Sequence, residues 1–293
     1  MTIDNGSAAH FGIGRVIGDA FSVAIRRIVT LLGVAILGAL PAAAALGAFF
    51  ASLPGEFPGG LPAPGTTVQF QSFGAGQGVM FFLAWLLTML SFLVIQAAIS
   101  YAALQDLRGE RVGILASLGR GLAALPRLVL AMLWLLLVMI GLGIAFLVAA
   151  FVVNLIASAS NSPGFMAAVN VLVGLAVLLG GALLYVRWWV FVPVLVVEAE
   201  GPIQSFSRSS ALTLGRRWSI FAVLALLVLA NFLVSLLNGG LMSQGAVVLA
   251  TVISIVVGVL GALVNAVIAA VGYFHLRAEK EGFGAADLAQ VFD

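Results

Sequence analysis

Six long apolar runs organise the chain, at about 29–53, 79–104, 128–157, 165–197, 218–237 and 247–275. Each reaches the roughly 18 residues that mark a membrane helix, so each is predicted to cross a bilayer. None shows the alternation of a transmembrane β-barrel strand. Three amphipathic segments lie ahead of the odd-numbered runs, at about 13–27, 113–125 and 202–214. In the first, Ile13, Val16, Ile17, Ala20, Phe21, Ala24 and Ile28 share one helical face, with Arg15, Asp19, Ser22 and Arg26 opposite. The second carries the stripe Ile114, Leu118, Leu122 and Leu125, and Pro126 is expected to end it. The third starts at Gly201-Pro202, carries Ile203, Phe206, Ser210 and Leu214 on one side, and stops at Gly215. Such helices lie in the membrane interface. The predicted fold is all-α: one polytopic membrane domain over 1–293, with six transmembrane and three interfacial helices.

The fourth run is too long for one straight crossing at about 1.5 Å per residue against a core of about 30 Å. Tilting, or a bend near Pro193, is expected to absorb the excess. The first run has basic residues ahead of it and Ala42 to Ala45 within it, the outline of a cleaved leader. Its long amphipathic lead and its continuation through Leu46, Phe49, Phe50 and Leu53 favour a retained span instead. Uncharged turns are expected at about 158–164 and at Asn238-Gly239-Gly240, and a Pro- and Gly-rich loop at 54–78.

Composition fits this picture and adds a direction. The chain is 63% hydrophobic and 8% charged, too few charges to clothe a water-exposed surface. Every Lys and Arg outside the runs falls in the amino tail, the loops at 105–127 and 198–217, or the carboxyl tail. The other three loops have none, so the positive-inside rule makes the arginine side, with both termini, cytoplasmic. Each odd run is preceded by an amphipathic segment ending in arginine, and Arg27, Arg127 and Arg217 superpose within a residue or two. The pattern reads either as a three-fold repeat of surface helix, span, turn and span, or as the basic lead-in that any entering helix needs.

Charges in or beside a span are expensive and therefore candidates for function. Arg187 sits inside the fourth run next to Trp188 and Trp189, where it can snorkel to lipid phosphates or clamp a head group. Glu198, Arg208, Arg216, Arg217, Arg27 and Arg127 join it as candidate head-group or structural residues. Asn231, Ser235 and Asn238 share a face of the fifth run. With Gln96 and Ser100 on the second run they are candidates for a polar path, or for hydrogen bonds between helices. Ser254, Gly258, Ala262, Ala266 and Ala270 recur every fourth residue on the sixth run, the spacing of a close helix contact inside the bundle or across a homodimer.

Catalytic chemistry finds no foothold. The sequence holds two histidines, His10 and His275, and no cysteine. It carries no zinc-protease, serine-hydrolase or phosphate-loop motif, and no carboxylate in a span core. No cofactor or metal is implied, and the few charges do not make a nucleic-acid surface.

Arg187, Pro193 and Glu198, then SFSRS at 205–209 and LTLGRRW at 212–218, resemble a bacterial membrane-protein family. It is the family related to the membrane domain of glycerophosphoryl diester phosphodiesterases. LRGER at 107–111, leading to Arg120-Gly121, looks like that family's earlier cytoplasmic loop. The resemblance covers about 12–280. It implies a six-helix module of the bacterial inner membrane and no catalytic residues, because the phosphodiesterase activity belongs to a separate barrel domain. The expected role is non-enzymatic, in contact with anionic lipid or with a partner envelope enzyme or transporter. A permease or channel for a small or lipid-like solute is the first alternative, and a lipid-modifying enzyme the second.

Overall fold

The structure is a computed structural model and describes residues 12–52, 75–158, 162–198, 201–245 and 247–282. His10 and most of the expected 54–78 loop lie outside them. The described residues form helices α1 (Ile13–Arg26), α2 (Ile28–Ala51), α3 (Ala75–Leu107), α4 (Ile114–Ser158), α5 (Pro163–Arg187), α6 (Phe191–Val197), α7 (Pro202–Thr213), α8 (Arg217–Ser243) and α9 (Val247–Glu281). The fold is all-α, with six helices or helix pairs long and apolar enough to span a membrane: α2, α3, α4, α5 with α6, α8 and α9.

The packed core sits at one end of the bundle. Leu263, Ala266, Val267, Ile268, Ala270, Val271 and Leu276 of α9 are buried there. They pack with Ala98, Ile99, Ala102 and Ala103 of α3, Val16, Ala20 and Val23 of α1, Leu31 and Val34 of α2, and Ile220 and Val223 of α8. The most apolar stretches of α4 and of the α5–α6 segment are not buried at all. This follows from the solvent. Lipid tails are as apolar as leucine, so the large side chains of those two stretches gain little by burial and face outward.

Three expectations change in the structure. Pro126 does not end a surface helix; it lies inside the continuous α4. Proline removes one backbone donor, and burial of Ser117, Gly121, Ala124, Leu128 and Ala131 on both sides of it holds the helix together. The bend expected near Pro193 is present as a break at 188–190, just ahead of that proline. Pro193 occupies the first turn of α6, where its missing N–H has no helical partner to lose. Asn238-Gly239-Gly240 is helical, and α8 runs on to Ser243 before Gly245 turns the chain at φ 77°.

The third change concerns the small-residue stripe. Ala266 and Ala270 are buried, Ala262 is half-buried, and Ser254 and Gly258 are exposed. A Cβ added at Gly258 would meet nothing within 4 Å. The close approaches lie elsewhere. A Cβ at Gly121 would stand 2.6 Å from the Val94 carbonyl oxygen, and one at Gly272 would stand 2.7 Å from the Trp189 ring. Along the stripe only Ala266 and Ala270 are packed; Ala262 lines a cavity between α8 and α9, and Ser254 meets α8 through its hydrogen bond with Asn238.

Candidate functional site

The polar chemistry gathers at the core end, around α7. This helix begins as its sequence dictates: Gly201 is extended, Pro202 takes the first turn, and the Gly201 N–H donates to Gln204 Oε1 at 3.0 Å. Gly215 at φ 90° ends the turn that follows. Phe206 is the apolar anchor. It stacks on Phe191 at 4.8 Å between ring centroids and meets Trp134 at 4.9 Å and Trp188 at 5.3 Å. These contacts press α7 against α4 and α6.

The break after α5 leaves backbone carbonyls without helical partners. Ser209 Oγ donates to the Arg187 carbonyl at 3.2 Å, and Thr213 Oγ1 does so at 3.3 Å. The Arg187 side chain is exposed, and its Nε donates to Ser210 Oγ at 2.6 Å. Glu198 takes other partners.

Glu198 Oε2 accepts from Arg208 Nε at 3.0 Å, and Oε1 accepts from the Tyr273 hydroxyl at 2.7 Å. Tyr273 in turn accepts from Arg277 Nη1 at 3.0 Å, and that nitrogen lies 3.9 Å from Glu198 Oε1. Glu281 closes the circuit: it accepts from Arg277 Nε at 2.7 Å and also pairs with Arg208. Burial works to lower the Arg208 pKa, but the hydrogen bonds to Glu281 and Glu198 outweigh it and hold the pKa above its ordinary value. The guanidinium is therefore a fixed cation clamped between two carboxylates. A second pair, Arg216 Nε to Glu279 Oε1 at 2.9 Å, ties the start of α8 to α9.

Two further links close the same end. Asp106, with its side chain 4% exposed, accepts from Arg26 Nε at 2.9 Å and Arg27 Nε at 2.5 Å. His275 Nε2 meets Asp19 Oδ2 at 2.8 Å, joining α9 to α1. These bonds place α1, the turn after α3, α7 and the end of α9 at one end of the bundle.

The arrangement fastens helices. Each carboxylate in the ring around Arg208 is matched by a cation. Among the described residues no group of three His, Cys, Asp or Glu could hold a metal ion.

The polar face does not assemble into a path. Asn238 Nδ2 bonds Ser254 Oγ across α8 and α9, while Asn231 Nδ2 returns to its own Leu227 carbonyl at 2.9 Å. Ser100 is buried on α3 and Gln96 is half-buried, and neither lines the cavity that Asn231 borders; Ser235 is exposed. That cavity, of about 540 Å³, lies between α8 and α9, with Phe21 of α1 and Tyr185 of α5 at its margin. Arg127 is half-buried inside α4, and Arg217 begins α8 with its Nε buried and unpartnered.

Sequence reasoning missed Tyr273, Arg277 and Glu281 as a set, and missed Asp106 as a hub. Tyr273, Arg277 and Glu281 recur every fourth residue, the spacing that puts three side chains on one helix face. Asp106 gave no such signal, because its partners lie about 80 residues away. No family model, curated protein or solved structure matches the chain.

Proposed function

We propose that this protein is a non-enzymatic module of the bacterial inner membrane that holds anionic lipid against its arginine-rich face, with both termini in the cytoplasm. The observation that carries the reading is the gathering of α1, the turn after α3, α7 and the end of α9 at one end of the bundle, fastened by the pairs around Asp106 and Arg208. Fastened helices with exposed basic residues, Arg15, Arg111, Arg120 and Arg187 among them, form a fixed basic surface at the level of the head groups. Each such charge is worth about 1 kcal/mol near an anionic leaflet. The resemblance to the six-span family supports the same reading and adds a membrane enzyme or transporter as a partner for the face.

Native mass spectrometry after gentle extraction tests the lipid. Phosphatidylglycerol or cardiolipin is expected to be enriched several-fold over its share of the membrane. Retention in proportion to bulk composition would sink the proposal. Orientation has its own test. Single cysteines at Gly109 and Ser207 are expected to be shielded from an impermeant maleimide in intact cells and to react after permeabilisation. Labelling of either in intact cells would reverse the topology.

A further inference from the structure

Two helical turns ahead of Leu224, the first α8 residue to line the cavity, stands a cation that the fastening network does not use. Arg26, Arg27, Arg208, Arg216 and Arg277 all pair with carboxylates. Arg217 does not: its Nε is buried and has no hydrogen-bond partner. A buried, unpaired guanidinium nitrogen is costly, so an anion at that point would relieve it. Arg217 also stands on the cavity's own side of α8. Leu224 and Asn231 line the cavity, and they follow Arg217 at intervals of seven, which is two helical turns. The end of α5 lies beside the start of α8: the Arg187 carbonyl accepts from Thr213 Oγ1 at 3.3 Å, four residues ahead of Arg217, and the exposed Arg187 side chain has only its Nε engaged.

The groove below these cations has the form of a chain site. Its walls are mainly aliphatic, Leu227, Val228, Val234, Val257 and Leu260 among them. Val228 is 68% exposed and Tyr185 54%, so the groove opens sideways to lipid. Its α8 wall, Leu224 to Val234, is about 15 Å long, half of the roughly 30 Å hydrocarbon core. That is the depth of one leaflet. We propose that the groove between α8 and α9 seats one acyl chain of an anionic phospholipid whose phosphate is held by Arg217 and Arg187. Tyr185 and Asn265 put hydrogen-bond donors on the wall, where the ester carbonyls of a glycerolipid are acceptors. The proposal rests on the lipid-holding reading above and gives it an address.

The full chain in nanodiscs, with a phosphatidylglycerol probe carrying a photoreactive diazirine in its acyl chain, tests it. Cross-links are expected to concentrate several-fold on peptides covering 224–234 and 257–265, relative to the exposed faces of α4 and α5. Ala262→Phe, which fills the groove, should reduce that labelling several-fold. Val228→Trp does the same from an exposed position and so keeps the test open if the first variant folds poorly. Arg217→Gln combined with Arg187→Gln should bring labelling by the anionic probe down to that of a phosphatidylcholine probe. Even labelling over all exposed helix faces, or an unchanged anionic preference in the double variant, would overturn the assignment. Enrichment of anionic lipid with cross-links elsewhere would remove the groove site and leave the broader lipid-holding reading standing. Loss of enrichment as well would remove both.

Discussion

Glu198→Ala is expected to lower stability in detergent by about 2–3 kcal/mol and to loosen α7 first. Breaking a buried ion pair costs about 3–5 kcal/mol, because the remaining charge is left without compensation. Here the loss is smaller, since Arg208 keeps Glu281 and Arg277 keeps both Glu281 and the Tyr273 hydroxyl. The Tyr273 hydroxyl, however, loses the acceptor it donates to at 2.7 Å. A double-mutant cycle isolates the contact. Glu198→Ala with Arg208→Ala should show a coupling energy above about 1 kcal/mol, as residues in one network do. Glu198→Ala with Arg187→Lys should be additive within about 0.5 kcal/mol, because Arg187 bonds Ser210 instead. Arg187→Lys alone should be mild, since a lysine can still reach that hydroxyl and snorkel to phosphate. Coupling between 187 and 198, or none between 198 and 208, would mean that the chain folds back differently after α5. Protease nicking near 199–200 at temperatures below global unfolding would show which element loosens.

The spans were legible because their signal is local and strong: an apolar run of that length has no other home. The gathering of basic segments at one end was legible for a related reason, since an even number of crossings returns each of them to the same side. What the runs did not reveal depends on neighbours. Pro126 reads as a stop, yet residues on both sides of it are buried, and that packing carries the helix through. Arg187 and Glu198 stood out as polar residues close in sequence, but the break at 188–190 turns them toward different partners. Glu198 finds Arg208 and Tyr273, one of which lies 75 residues away. Asn231 and Gln96 suggested a shared path because each is polar on an apolar helix. An amide can satisfy itself on its own backbone, as Asn231 does, so polarity alone does not say that two helices face each other.

Gly121→Ala is expected to destabilise the bundle by about 1–3 kcal/mol, whereas Gly258→Leu should leave its melting temperature within error. Each glycine lies in a helix, Gly121 after Arg120 in the amphipathic segment and Gly258 within an apolar run. Helix propensity would favour alanine over glycine by about 1 kcal/mol at either site. At Gly121 that gain is overridden. The new Cβ would lie 2.6 Å from the Val94 carbonyl oxygen and 3.2 Å from the Ala98 Cβ. The first of these is backbone, which no rotamer change can move, so α3 and α4 must separate or the carbonyl must tilt. Overpacking of this kind costs about 1–3 kcal/mol. It acts on the α3–α4 contact that carries the surface portion of α4, where Ser117 and Ala124 are buried on the same side as Gly121. Gly258 has open space around its α-carbon, so a leucine there adds one more apolar side chain toward lipid. Thermal unfolding in one detergent, with all variants side by side, separates the cases. A stabilised Gly121→Ala would mean that α3 and α4 do not approach this closely. A destabilised Gly258→Leu whose melting temperature depends on protein concentration would mean that the exposed half of the stripe packs on a second copy of the chain.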